Sequence, residues 1–320
     1  MKILASDGIS PNGIEILENA GFEVVVTKIA QEQLQDFINN NEIVAVLLAG
    51  TTVIGKELID SCPSLKLIGR GGSSLGNIPV KYAEKNGIKV INTPEAPAAA
   101  VAELVFAHLF SGVRFLHDSN RNMPLEGELR FKDLRKTYAG GRELRGKTLG
   151  IIGFGKTGRE VAKTALGLGM KVIASDKNVR EEKIVLDFFN HQSISIPVTT
   201  EPLHQLIKLS DFISLHVPAQ KETIIGEIEI NAMKDGVGII NTSRGGAVDE
   251  KALLEGLENG KISFAGLDAF ENEPAPHIKV LMHEKISLSP RIAAATVEAR
   301  ERISTELAEK VVAALRDKKI

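Results

Sequence analysis

Residues 148–176, TLGIIGFGKTGREVAKTALGLGMKVIASD, restrict what the chain can fold into more than any other stretch. An apolar run, Thr148–Ile152, reads as a strand. Gly153, Gly155 and Gly158 follow in GxGxxG spacing, and a helical pattern opens at once, led by Lys156 and Thr157. A second strand pattern, Lys171–Ser175, ends at Asp176. Such a strand–helix–strand unit requires a parallel sheet, because the crossover returns the chain in the same direction. Each glycine has a separate reason. Gly153 permits a tight turn, Gly155 lets a pyrophosphate approach the backbone, and Gly158 lets helix and strand pack closely. The helix N-terminus offers unpaired N–H groups and a partial positive charge. Asp176 suits the adenosine ribose hydroxyls and repels a 2′-phosphate, which favours NAD over NADP. The alternative is a glycine-rich turn that binds nothing. A GxGxxG motif alone is weak, but here all the surrounding elements are in place.

The same alternation runs through the whole chain. Strand patterns fall at Lys2–Ser6, Glu23–Thr27, Val44–Ala49, Lys66–Arg70, Lys89–Asn92, Thr148–Gly153, Lys171–Ser175, Phe212–Val217, Gly238–Asn241, Phe264–Asp268 and Ile286–Ser289, with helical segments between most of them. This predicts an α/β protein. Eleven strands exceed one sheet of this kind, so the expectation is two doubly wound parallel-sheet domains, Rossmann- or flavodoxin-like. The break falls after Asn92. A proline-punctuated loop there becomes one long helix, followed by a charged, glycine-bearing connector, MPLEGELRFKDLRKTYAGGRELRGK. The last helix, Val297–Arg316, is amphipathic and could return to the first domain. The boundaries expected are 1–95 with 295–320 for one domain and 96–294 for the other, inserted one.

Composition removes several function classes. A net charge of −2 with no Trp and two Tyr makes no case for nucleic acid. The longest apolar run, Ala96–Phe110, is broken by Glu103 and is too short for a bilayer. One cysteine excludes an internal disulfide, and seven scattered histidines give no metal-site spacing. Met1-Lys2 leads straight into a strand pattern, so a cytoplasmic protein is expected.

The motifs GRGGSSLGNIPV, NTPEAPAAAVAEL, GKTLGIIGFGKTG, SLHVP, INTSRGGAVDEKAL, GLDAFENEP and LSPRIAAAT, in this order, resemble the D-2-hydroxyacid dehydrogenase family. Within it they resemble the short-type phosphoglycerate dehydrogenases most closely. The resemblance spans nearly the whole chain. It implies an NAD-binding domain inserted into a discontinuous substrate domain, and a homodimer held through the long helix and connector. It also implies hydride transfer between a small anionic 2-hydroxy or 2-oxo acid and nicotinamide. By the same resemblance Arg244 is the substrate-clamping guanidinium, Glu273 the carboxylate that orients the acid/base group, and Asp268 a partner of the nicotinamide carboxamide. His216, Val217, Pro218 and Thr242 line the cofactor. Gly72, Ser73, Ser74 and Asn77 stand in the loop that holds the substrate carboxylate. Plain alternatives are a surface salt-bridging arginine at 244, a loop acid at 273 and a strand-capping histidine at 216.

One position breaks the pattern. The family keeps its acid/base histidine in Pro-His-Ile-Gly, whereas this chain reads Pro290-Arg291-Ile292-Ala293. Imidazole titrates near neutrality, but arginine stays protonated and cannot act as a base. Arg291 therefore reads as an anion anchor or as the ion-pair partner of Glu273. Other changes surround it: Ser73-Ser74-Leu75-Gly76-Asn77 replaces Val-Gly-x-Asp-Asn, and Ala49-Gly50 stands where related phosphoglycerate enzymes often carry Arg-Ser. Without that arginine, a phosphate ester lacks a cation to clamp it. Two functions follow as expectations. One is an NAD-dependent oxidoreductase with reduced or altered activity; the other is an NAD- and anion-binding protein without turnover.

Overall fold

The computed structural model describes residues 1–50, 52–218 and 222–316. The chain divides into two compact units, one of Met1–Pro97 with the segment from Ala294 onward, the other of Ala98–Ala293.

The first unit carries β1 (Lys2–Ala5), β2 (Glu23–Val26), β3 (Ile43–Leu48), β4 (Leu67–Arg70) and β5 (Lys89–Asn92). They form one parallel sheet in the order β2-β1-β3-β4-β5. Its strands are apolar on successive residues because helices cover both faces. Ile3, Ala5, Ala45 and Leu47 enter one core, and Leu4, Val46 and Leu48 enter the other. The helix Val297–Arg316 adds Leu307, Ala308 and Val311 to the first of these cores. Hydrogen bonds tie it to the start of the chain: Ser10 N–H donates to Ser304 Oγ at 3.0 Å, and Asn12 Nδ2 donates to Thr305 Oγ1 at 2.8 Å.

The second unit is built on β6 (Thr148–Ile152), β7 (Lys171–Ser175), β10 (Phe212–Leu215), β11 (Val237–Asn241), β12 (Ile262–Leu267) and β13 (Ile286–Leu288). The sheet is parallel throughout, in the order β13-β12-β11-β10-β6-β7. Again alternate residues part company: Ile213 and Ile239 enter one core, Phe212 and Ile240 the other. The helix Ala98–Val113 packs on the latter face through Ala102, Val105, Phe106 and Leu109. Gly112 lets it come that close, since a Cβ there would lie 2.0 Å from the Phe264 ring.

The expected α/β architecture of two parallel sheets is borne out, and all eleven expected runs form strands. Two further strands, β8 (Glu181–Asp187) and β9 (Ser193–Thr199), form an antiparallel hairpin. Only its inward residues, such as Ile184 and Val198, join the core. Much of the connector is helical as well. After Phe115 (φ +55) the chain re-enters a helix, Leu116–Thr137, which contains Pro124 and a non-helical Arg130. The turn at Phe115 bends the expected single long helix by 55°. Polar pairs support the second helix: Arg130 with Glu126 at 2.6 Å, and Tyr138 Oη donating to Asp118 at 2.7 Å. Among the described residues no single helix is long and apolar enough to cross a membrane.

Replacing Gly112 with valine is expected to destabilise the second unit by about 1–3 kcal/mol through overpacking against Phe264. Urea unfolding checks this, and an unchanged midpoint would show that the helix can move away at no cost.

Candidate cofactor and anion site

A parallel sheet offers its ligand crevice at the carboxyl ends of the strands, where strand order reverses. In the second unit the chain leaves β6 for β7 on one side and later fills β10 on the other. The crevice is therefore bounded by the residues after β6 and β10.

The glycine motif lies at that point. Gly153 has φ +91, and a Cβ on it would stand 2.2 Å from the His216 carbonyl oxygen. A Cβ on Gly158 would stand 2.2 Å from the Gly153 carbonyl oxygen. Backbone approach demands both glycines. Gly155 differs: it caps the helix Lys156–Gly167 in an extended conformation, and among the described residues its missing Cβ would meet nothing within 4 Å. Neither strain nor packing requires glycine there, and the open space above a helix N-terminus fits an incoming pyrophosphate. Lys156, Thr157 and Gly158 form the first turn of that helix.

Asp176 closes the motif. Its carboxylate accepts hydrogen bonds from Phe154 N at 2.7 Å, Asn178 N at 2.7 Å and Val179 N at 3.1 Å. Burial works to raise its pKa, but those three N–H groups and nearby Arg159 outweigh burial and hold it below the usual carboxylate range. It stays charged, as a ribose acceptor needs.

His216 follows β10. Its Nε2 lies 2.8 Å from Ser214 Oγ, and burial pushes its pKa down to about 3, so the ring is neutral. The residue after it, Val217, crowds Gly153, and Pro218 offers its carbonyl oxygen to Arg244 Nε at 2.9 Å. Thr242 follows β11 and keeps a buried hydroxyl with no hydrogen-bond partner among the described residues. A buried orphan beside the strand ends is what a bound group would satisfy. Together with the open cradle at Gly155, it makes these residues fit a dinucleotide.

Arg244 is more constrained than the sequence suggested. Besides Pro218, its guanidinium donates to the carbonyls of Glu222 at 2.9 Å and Gly245 at 3.3 Å. It therefore clamps main chain. Asp268, at the end of β12, is buried and accepts from Ser289 Oγ at 2.6 Å, Ile292 N at 2.8 Å and Ala293 N at 3.0 Å. That carboxylate anchors the turn bearing Arg291. Arg291 Nη1 reaches Glu273 Oε1 at 3.3 Å, and the same oxygen accepts from Phe270 N at 2.9 Å. Arg291 and Glu273 are thus brought together as an ion pair.

The loop 71–77 belongs to the first unit. Gly72 has φ +101 and its N–H donates to Thr93 Oγ1 at 2.8 Å. The Ser73 carbonyl accepts from Asn92 Nδ2 at 3.2 Å, and Ser74 Oγ lies 3.5 Å from Gly76 N. Asn77 donates to the Thr52 carbonyl at 2.7 Å, which makes it a loop brace. Arg70, missed in the sequence, ends β4 immediately before this loop. Its Nη1 bonds the Gly71 carbonyl, while its Nε is buried with no hydrogen-bond partner among the described residues. Burial lowers its pKa and Asp7 opposes that shift. The signal was present as an arginine closing an apolar strand ahead of two glycines. At Ala49-Gly50 the backbone N–H groups are held by Asp7 Oδ2 at 3.0 and 2.7 Å.

A second residue missed in the sequence is His108. It is buried in the helix Ala98–Val113, and its ring contacts Ser287 and Ser289. Burial depresses its pKa to about 4, partly opposed by Asp268.

Residues 106–293 match the model of the D-isomer specific 2-hydroxyacid dehydrogenase, NAD binding domain. The chain is 39% identical over 316 residues to a hydroxypyruvate reductase of Thermotoga maritima, covering 97% of each chain. It is 36% identical over 318 residues to a D-3-phosphoglycerate dehydrogenase of Methanocaldococcus jannaschii, covering 99% of this chain but 58% of that longer one. A glyoxylate reductase structure from Paecilomyes thermophila superposes with a TM-score of 0.80 at 26% identity, covering 98% of this chain and 94% of that chain.

The depressed histidine pKa values set a pH dependence. An unfolded histidine titrates near ~6.5. The folded His108, at about 4, stays neutral below that. Stability is therefore fully present above the unfolded value and falls as pH drops toward the folded one, because the unfolded chain binds the proton first. His216 acts in the same direction. Urea unfolding at pH 7 and pH 5 is expected to show a loss, of which His108→Leu removes roughly 2 kcal/mol. An unaltered loss in that variant would contradict a neutral buried His108.

Proposed function

The chain belongs to the D-isomer specific 2-hydroxyacid dehydrogenase family, and from that premise we propose that it is an NAD-dependent oxidoreductase acting slowly on a small 2-hydroxy or 2-oxo acid. In this reading the inserted unit is the NAD-binding domain and the discontinuous unit is the substrate domain. Gly153, Gly155, Lys156, Thr157 and Gly158 receive the pyrophosphate. Asp176 receives the adenosine ribose. His216, Val217, Pro218, Thr242 and Asp268 line the nicotinamide half. Bound NAD supplies the hydride acceptor, or in reduced form the donor. Gly72, Ser73, Ser74 and Asn77 belong to the substrate loop.

The carrying observation is the ion pair between Arg291 and Glu273 at 3.3 Å. A guanidinium holds an anion well but cannot accept the hydroxyl proton. Glu273 is already engaged by Arg291 and by Phe270 N. Hydride transfer then proceeds without a positioned general base, a loss of roughly 10²–10⁴ in rate. Without an arginine at Ala49, the chain has no side-chain cation there for a phosphate ester, and an unphosphorylated acid suits it better. The same fixed charge favours a second reading: a protein that binds NAD and a small anion at Arg291 without turnover.

The homodimer belongs to this proposal too. The helix Leu116–Thr137 exposes Leu125 by 80% and Leu129 by 90%, with Met123 and Phe131 beside them. Exposed apolar side chains at this density mark an interaction surface.

Arg291→His is expected to raise NADH-dependent turnover of glyoxylate or hydroxypyruvate by about 10²-fold. Calorimetry with NAD and then oxalate separates the two readings: binding to the unaltered chain with no gain of turnover in Arg291→His favours the binding protein. Absence of NAD binding would defeat both. For the dimer, light scattering on the unaltered chain should give twice the chain mass, and Leu125→Glu with Leu129→Glu should give a monomer. A monomeric parent chain would end that part of the proposal.

A further inference from the structure

The residues beneath Arg291 form a polar chain inside an otherwise apolar core. Ser287 and Ser289 are two apart at the end of β13 and face the same side. That side is covered by His108. Its Nδ1 lies 2.8 Å from Ser287 Oγ and its Nε2 lies 3.0 Å from Ser289 Oγ. Room for the ring comes from Gly266, the β12 partner of Ser287: a Cβ on Gly266 would stand 2.6 Å from His108 Cβ. Ser289 Oγ in turn lies 2.6 Å from Asp268 Oδ1. All four side chains are buried.

Proton bookkeeping assigns a direction. Asp268 Oδ1 already accepts from Ile292 N and is a carboxylate oxygen, so Ser289 must donate to it. With its one hydrogen spent, Ser289 Oγ can only accept from His108, which requires a proton on Nε2. Nδ1 then lacks a proton and accepts from Ser287. The chain runs Ser287 to His108 to Ser289 to Asp268 with every donor used. The low His108 pKa agrees with a neutral ring.

The chain ends on the carboxylate that shapes the Arg291 turn. Asp268 accepts Ile292 N at 2.8 Å and Ala293 N at 3.0 Å through its side chain, and Arg291 N at 3.1 Å through its main-chain oxygen. Arg291 itself has φ +58, a left-handed conformation that an L-residue keeps only when its surroundings dictate it.

We propose that His108 is a positioning residue: through Ser289 it orients the Asp268 carboxylate, which holds the left-handed turn and thereby fixes the Arg291 guanidinium against Glu273. The ligand arm of its test rests on the reading of Arg291 as an anion anchor; the structural arm does not.

Multiple-bond proton–nitrogen spectra of the full chain should show His108 as the Nε2–H tautomer at neutral pH. An Nδ1–H tautomer overturns the proposal. Amide exchange of Ile292 and Ala293 should quicken about tenfold in His108→Leu and Ser289→Ala, return to the parent rate in Ser289→Thr, and stay unchanged at Ile239 and Ile240. Parent-like exchange at Ile292 and Ala293 in both disrupting variants overturns it. If His108→Leu does not fold, the Ser289 pair carries the same comparison. In the ligand arm, oxalate binding to the NAD-loaded chain should weaken about tenfold in His108→Leu, as in Arg291→Ala. Weakening in Arg291→Ala alone overturns the proposal. No weakening in Arg291→Ala overturns the anion reading instead, and amide exchange still decides the role of His108.

Discussion

A parallel sheet buried on both faces leaves most of its polar chemistry to the ends of its strands, and the candidate site follows from that constraint. Within β10 and β11 the apolar side chains divide between two cores. The glycine turn and several polar side chains therefore gather where the strands stop: Gly153 after β6, Asp176 after β7, His216 after β10, Thr242 after β11 and Asp268 after β12. Their convergence is a consequence of strand direction. One register and one sheet order bring five segments, far apart in the chain, to a common edge.

Just past β13, Arg291 brings to that edge a guanidinium, whose chemistry differs in kind from that of an imidazole. A histidine trades a proton near neutral pH, and a neighbouring carboxylate tunes that exchange. Arg291 beside Glu273 instead forms an ion pair, and a guanidinium cannot serve as a base. The pair is half-open to solvent, and exposed pairs of this kind add little to stability. What holds the turn is the buried Asp268 carboxylate with its three donors. The guanidinium is thus carried on a turn that a buried carboxylate supports, while its own ion pair stays half-open to solvent.

Much of this was legible beforehand. The GxGxxG spacing, the acid at 176 and the eleven β-branched runs each express a local requirement, and local requirements are written in consecutive residues. The hairpin 181–199 was not seen because its exposed strands mix charged, polar and apolar residues without the continuous apolar run of a central strand. The helix through the connector was hidden by Pro124 and by a polar composition that says loop. Its support comes from side-chain pairs such as Arg130 with Glu126 and from Tyr138 reaching back to Asp118. His108 and Ser289 lie 181 positions apart, and nothing near either residue announces the other.

By itself the sequence determined the fold class, the dinucleotide motif and the presence at 291 of a guanidinium, which cannot act as a base. Each depends on residue type and short spacing, which survive without coordinates. Only the tertiary structure decided how the side chains are spent. It turned Arg244 into a clamp on three carbonyl oxygens, Asn77 into a brace on Thr52, and a histidine in an apolar helix into the head of a hydrogen-bond chain. The reason is that a hydrogen bond needs a partner within about 3 Å, and which partner arrives is settled by packing between distant segments.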